Sequence, residues 1–329
     1  MARKMADFKS LTIKECAERL LEIKRPLIIM HANPDADTVG SAAALADIFE
    51  MLGERAYYLC QDKIPPRLAF LLDRLSPAQD LSGLTPVAVD IAAPAMLGSC
   101  RDILVDDLRV RLMIDHHEVG EMFADCYKIP GASSAGEVVL DIALLLESMG
   151  KITLTKQLAE HLFAAMSSDT GAFRYSNATA DTYKKAGMLL SLGIDHARIS
   201  HLLYFSKSEA QIRAEGLASA KLKTAAGGKI AYSYVTQSEL SENGLHLSDF
   251  DTAIDIVRSL IGVEIALFAK EVRPGEFKAS LRSTGADVSL IAKEFGGGGH
   301  VRAAGCTVSG ATAEDAISAI LFEIEKIYQ

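Results

Sequence analysis

The chain has 329 residues, 49% hydrophobic and 23% charged, an ordinary globular composition on a length that points to two domains rather than one core. A formal net charge of −9 excludes a surface built to hold long nucleic acid through many phosphate contacts, so any nucleic-acid substrate is expected to be short or held by a local basic pocket and bound metal. No apolar run approaches the roughly 20 residues of a membrane helix, MARKMADFKS lacks a signal-peptide core, and five scattered cysteines form no CxxC, so reduced thiols in a cytoplasm are expected, without a zinc–thiolate site.

Taken in order, Thr12 and Glu15 have capping-box spacing ahead of a helical apolar pattern. PLIIM reads as a buried strand, followed by a helix from near Gly40 to Gly53. RAYYLC is a strand and PPRLAFLLDRL a helix. PVAVDI and RLMIDHH are strands, and SAGEVVLDIALLLESMG and TLTKQLAEHLFAAM are helices. Short apolar strands alternating with helices predict βαβ units, hence an α/β domain with a parallel sheet and helices on both faces. Residues 179–225 read as helical, with TAAGG ending a linker. KIAYSYVT, GVEIALFAKEV and GEFKASLRST are strands, the last two joined by an RPGE hairpin turn. A helix VSLIAKEF, a glycine run, a strand RAAGCTV and a helix AEDAISAILFEIEKIY complete a smaller α+β domain. The expected division is residues 1–195, a helical linker 196–227, and 228–329.

Four polar clusters fall near strand or helix ends in the first domain, and open parallel sheets bind ligands beyond the carboxyl ends of their strands. They are His31 with Asp35 and Asp37; Asp90; Asp115 with His116 and His117; and Asp169. Each alone has a bland explanation as a cap, a turn or a solvated side chain. Together they would place five carboxylates and three imidazoles at one rim, where like charges repel unless cations relieve them. Oxygen and imidazole ligands without sulfur favour Mn²⁺, Mg²⁺ or Fe²⁺. Two such ions about 3.5–4 Å apart can activate a water and stabilise an in-line displacement at phosphorus.

In that order HANPDAD, the isolated VAVD, IDHH and SSDTG resemble the motifs of the DHH-family phosphoesterases. SLRS followed by GGGGHVRAAG resembles the family's associated C-terminal subdomain, so the likeness runs from Pro26 to about Ser309. Length is most similar to the oligoribonuclease and pAp-phosphatase branch. The resemblance implies that His31 and Asp35 hold a first metal, that Asp37, His116 and Asp169 hold a second, and that Asp90 bridges both. It implies that His117 faces the scissile phosphate and that Asp115 orients a neighbouring imidazole. Manganese is the implied ion, with magnesium or iron(II) as alternatives.

The glycine run lacks the GK[ST] of a Walker loop. One glycine commonly ends a helix, whereas four in a row suggest bare N–H groups cradling a phosphate. Gly297, Gly298, Gly299, His300 and Arg282 are therefore expected substrate contacts, with Arg302 either joining them or simply solvated. Phe173, Arg174 and Tyr175 read either as base-stacking or as packing residues, while His161, His196, His201 and His246 lack companion ligands and read as structural. The resulting expectation is a cytoplasmic two-metal phosphoesterase acting on short RNA or nucleotides such as pAp, touching no long duplex and no membrane. The resemblance also implies a homodimer. Rivals are a cyclic- or linear-dinucleotide phosphodiesterase, a RecJ-like single-strand exonuclease, and a nucleotide sensor without catalysis.

Overall fold

The computed structural model describes residues 8–326, which separate into two compact units divided between Ser206 and Lys207. The first unit is built on six parallel strands: β1 (Pro26–Ile29), β2 (Tyr57–Leu59), β3 (Ser76–Pro77), β4 (Thr85–Val89), β5 (Leu112–Asp115) and β6 (Cys126–Lys128). Their spatial order is β3-β2-β1-β4-β5-β6. Six helices accompany them: α1 (Ile13–Glu22), α2 (Ala36–Met51), α3 (Ala135–Ser148), α4 (Lys156–Asp169), α5 (Ala180–Ser191) and α6 (His196–Tyr204).

Side chains alternate across a strand, so the apolar runs feed two cores. Ile28, Val87, Val89, Leu112 and Ile114 turn to the face covered by α1–α4. Leu27, Ile29, Ala88 and Met113 turn to the other face, closed by short helical turns through Leu97 and Leu104 and by Phe123. Thr12 and Glu15 form the expected capping box on α1.

Three local differences matter. Helix α2 starts at Ala36 rather than near Gly40, because the Asp35 carboxylate caps it by accepting from the N–H groups of Asp37 and Thr38 at 3.0 and 3.1 Å. Asp37 is thereby moved from a loop into the first helical turn. Strand β5 stops at Asp115, so His116 and His117 lie beyond the extended backbone. The segment expected as a helical linker is helical, but α6 packs on α4 in the first unit whereas α7 (Glu209–Ala220) packs in the second.

The second unit contains β7 (Lys223–Ala225), β8 (Ile230–Val235), β9 (Ile265–Arg273), β10 (Glu276–Ser283), β11 (Gly298–His300) and β12 (Ala303–Ser309), in the order β11-β12-β10-β9-β8-β7. Only β8 and β9 pair in parallel. Helices α8 (Gln237–Asn243), α9 (Ala253–Arg258), α10 (Val288–Glu294) and α11 (Ala313–Glu325) complete it. Alternation again makes two cores. Ile265, Leu267 and Ala269 face α10 and α11, while Ala266 and Phe268 face α7 and α9. Among the described residues no helix is long and apolar enough to cross a membrane.

Candidate metal centre

The carboxyl ends of β1, β4 and β5 bring His31, Asp90, Asp115, His116 and His117 to one edge of the first sheet. The N-terminus of α2 adds Asp35 and Asp37, and Asp169 is the last residue of α4. Three groups have ligand atoms within 4.8 Å of one another: His31, Asp35 and Asp90; Asp37, His116 and Asp169; and Asp90, His116 and His117. Asp90 belongs to two of them. It sits just past β4 at φ 59°, in the left-handed region that Asp and Asn tolerate better than most residues. Its N–H donates to the carbonyl of Ile114 at 2.9 Å, which fixes the turn.

Hydrogen bonding decides what the two key imidazoles present to this cluster. His31 Nδ1 lies 2.8 Å from the carbonyl of Ala32, and His116 Nδ1 lies 3.1 Å from that of Ala132. A carbonyl only accepts, so Nδ1 carries the proton in both rings and Nε2 is directed at the acids. His31 Nε2 stands 3.5 Å from Asp90 Oδ2 and 3.8 Å from Asp35 Oδ1. His116 Nε2 stands 3.4 Å from both Asp90 Oδ1 and Asp169 Oδ2, and 3.8 Å from Asp37 Oδ2. A lone pair facing carboxylate oxygens is repulsive, so each Nε2 needs either a proton or a metal cation between it and the oxygens. The donor set of imidazole and carboxylate, without sulfur, fits hard or borderline divalent ions.

Without a cation, protons serve instead. Burial opposes charge on His31, but hydrogen bonding to Asp35 and Asp90 overrides it and pushes the ring up to about 12. His116 is likewise buried yet lifted to about 10 by Asp90 and Asp37. Burial raises Asp37 to about 8, with the Asp90 charge adding to it, and burial also raises Asp169. Burial acts against Asp90 too, but His116 and His31 hold it below the usual carboxylate range.

Asp37, wholly buried, accepts from the N–H groups of Ala135 at 2.7 Å and Gly136 at 2.9 Å, and from Ser41 Oγ at 3.1 Å. Asp115 accepts from His117 Nδ1 at 2.7 Å, and Lys128 Nζ lies 3.3 Å from its other oxygen. His117 is therefore oriented through Asp115, while its Nδ1 is 3.8 Å from Asp90 Oδ1.

The weaker candidates separate. Phe173 packs against Phe163 and Tyr183, with ring centroids 5.4 and 5.8 Å away. His161 is buried and paired with Asp47 at 2.7 Å. Sequence reasoning missed Ser133, Ser134, Glu137 and Asn177, which surround the Asp37 and Asp169 side of the cluster. The available signal was GASSAGE, where Ser134-x-x-Glu137 has the spacing of a helix start.

In the second unit, antiparallel register places His300, Ala303 and Arg282 in one row across β11, β12 and β10. The glycines before them are spent on packing. The N–H groups of Gly296 and Gly297 donate to the carbonyls of Lys293 and Ala292 at the end of α10. A Cβ at Gly297 would lie 2.2 Å from the carbonyl oxygen of Gly305, and one at Gly299 would lie 2.5 Å from that of Ala303, whereas Gly298 has open space. Arg282 donates to the carbonyl of Leu281 at 2.9 Å, and Arg302 donates to that of Ala286 at 3.2 Å.

Comparison with known proteins gives matches in both units. Residues 25–166 match the DHH family N-terminal domain and residues 227–328 match the DHHA1 domain. The chain is 28% identical over 313 residues to the bifunctional oligoribonuclease and PAP phosphatase NrnA of Thermus thermophilus, covering 93% of this chain and 91% of that one. It is 26% identical to the cyclic-di-AMP phosphodiesterase PdeA of Listeria monocytogenes, across 98% of this chain and 50% of that protein. An exopolyphosphatase-related protein from Bacteroides fragilis superposes with a TM-score of 0.85 at 25% identity, covering 95% of both chains. With a parallel-sheet unit that ends in clustered His and Asp side chains, followed by a mixed-sheet unit, the chain belongs to the DHH family of metal-dependent phosphoesterases.

Proposed function

We propose that the chain hydrolyses phosphoester bonds in very short RNA and in 3′-phosphoadenosine 5′-phosphate (pAp), with manganese as its metal. The observation that carries this reading is the pair of imidazole Nε2 atoms set 3.4–3.8 Å from carboxylate oxygens, with Asp90 between them. Near full-length similarity to the Thermus NrnA supports the substrate class.

In this reading His31, Asp35 and Asp90 hold one divalent cation, and Asp37, Asp90, His116 and Asp169 hold the other. When bound, such a pair supplies a water of lowered pKa and charge stabilisation for in-line displacement at phosphorus. Asp115 fixes the ring of His117 through Nδ1, so that Nε2 meets the scissile phosphate and holds an oxygen there. In the second unit Arg282 and Gly298 are the proposed contacts of a terminal phosphate or nucleotide, with Gly297 and Gly299 giving the hairpin its shape; the side chain of His300, the other expected contact, lies outside those described.

A second reading, hydrolysis of a cyclic or linear dinucleotide, is favoured by the match to PdeA across nearly all of this chain. One panel separates the two. Purified protein with Mn²⁺ is given dimer to pentamer RNA, pAp, pApA, cyclic di-AMP and a long single strand. The expected result is shortening of the oligomers and phosphate release from pAp, abolished by chelator. Turnover confined to cyclic di-AMP, or undiminished by chelator, overturns the proposal.

A further inference from the structure

One short segment, residues 132–136, contacts His116 and Asp37 directly and reaches Asp169 through Asn177. The carbonyl of Ala132 orients His116 through Nδ1 at 3.1 Å. The N–H groups of Ala135 and Gly136 grip the two oxygens of Asp37. Asn177 Nδ2 donates to the carbonyls of both Ser133 and Asp169, at 3.1 and 3.0 Å, and so ties the segment to the end of α4. Gly136 belongs here because of close approach, since a Cβ on it would meet Ala165 Cβ at 2.4 Å. The other group is held differently. His31 is oriented by Ala32, and Asp35 by the start of α2.

What fixes the segment is Glu137, a carboxylate only 4% exposed. In a capping box the third residue of a helix reaches back to the cap residue's own N–H. Glu137 reaches one residue further, taking both the N–H and the hydroxyl of Ser133, while Ser134 caps α3 by accepting from Glu137 N. Its remaining contacts are Thr182 Oγ1 at 3.0 Å and Lys185 Nζ at 3.1 Å, both from α5. Lys185 also meets Asp141 at 2.8 Å and Asp181 at 3.0 Å. A buried carboxylate must be paired and hydrogen-bonded, and this one is. A cap alone would need no bond to Ser133.

From this we infer that Glu137 is a positioning residue. It clamps residues 132–136 so that Asp37, His116 and Asp169 are set for one of the two cations, with no comparable hold on His31, Asp35 and Asp90. The inference rests on the two-cation reading above.

Stepwise Mn²⁺ binding, followed by calorimetry on the full chain, tests it. Removing the group that orients a metal ligand typically weakens metal affinity about 10–100-fold. Glu137→Ala is expected to weaken one binding step by about that factor and leave the other unchanged, with kcat recovering as Mn²⁺ is raised. Glu137→Gln, which can still accept from Ser133, is expected to restore most of the affinity. Asn177 is exposed, so Asn177→Ala provides a fold-safe second variant, expected to weaken the same step. If Glu137→Ala fails to fold, Asn177→Ala decides. Two unchanged binding steps in Glu137→Ala or in Asn177→Ala, or equal weakening of both steps there, overturns the inference alone. A wild-type chain that takes up no divalent cation overturns the two-cation reading and the inference with it.

Discussion

The acidic rim of the first unit and the glycine hairpin of the second both stand out in the sequence, yet they do so for different physical reasons. At the rim, His31, Asp37, Asp90 and His116 are buried, gathered from four elements, and directed at one another. Nothing in packing requires that company, and it is tolerable only with protons or cations between the groups. In the hairpin, Gly297 and Gly299 are required by the close approach of β12, and two of the run's N–H groups end α10. Chemistry explains the first cluster, whereas packing already accounts for most of the second.

Four interventions test that contrast. The largest effect belongs to Asp90→Asn, because Asn keeps the side-chain shape and tolerates φ 59° while losing the charge shared by both groups. Hydrolysis of pAp or short RNA should fall about 1,000-fold or more, several kcal/mol of lost charge stabilisation, with the fold intact by circular dichroism. Turnover near the wild-type level would mean that the rim is structural.

Proton competition comes next. His31 and His116 retain protons up to about 12 and 10 without metal, so at pH 6–8 a cation must displace them. Metal affinity should therefore rise with pH, by roughly tenfold per unit for each proton released. Calorimetry in buffers of different ionisation enthalpy counts those protons, and a pH-independent affinity would contradict the assigned imidazoles.

The two smaller effects lie in the hairpin. Gly297→Ala forces β11 away from Gly305 and should cost about 1–3 kcal/mol, seen as a lower denaturation midpoint. Gly298→Ala has open space and should leave stability unchanged while raising KM. An unchanged KM there would leave the glycines with packing alone.

How much was legible in the sequence follows the same divide. Apolar runs and caps predicted both sheets, because strand alternation and the Thr12–Glu15 box are local signals. All eight rim residues could be named, since each is a polar group at the end of an apolar run. Helix α2 starts at Ala36, earlier than its apolar pattern near Gly40 suggests, because Asp35 is at once its cap and a member of the rim. Strands β3 and β6, two and three residues long, carry too little pattern to be read. Glu137 and Asn177 escaped because their role depends on contacts across 44 and 45 residues of chain, which no local spacing records.

The most direct measurement of the central claim is a Mn²⁺ titration of the metal-free chain at neutral pH, read by calorimetry and by the manganese resonance. Two ions per chain, close enough to perturb each other's signal, are expected for wild type, and weakened uptake at both steps for Asp90→Asn. No uptake at saturating Mn²⁺, or two full-affinity ions retained without the Asp90 carboxylate, would contradict it.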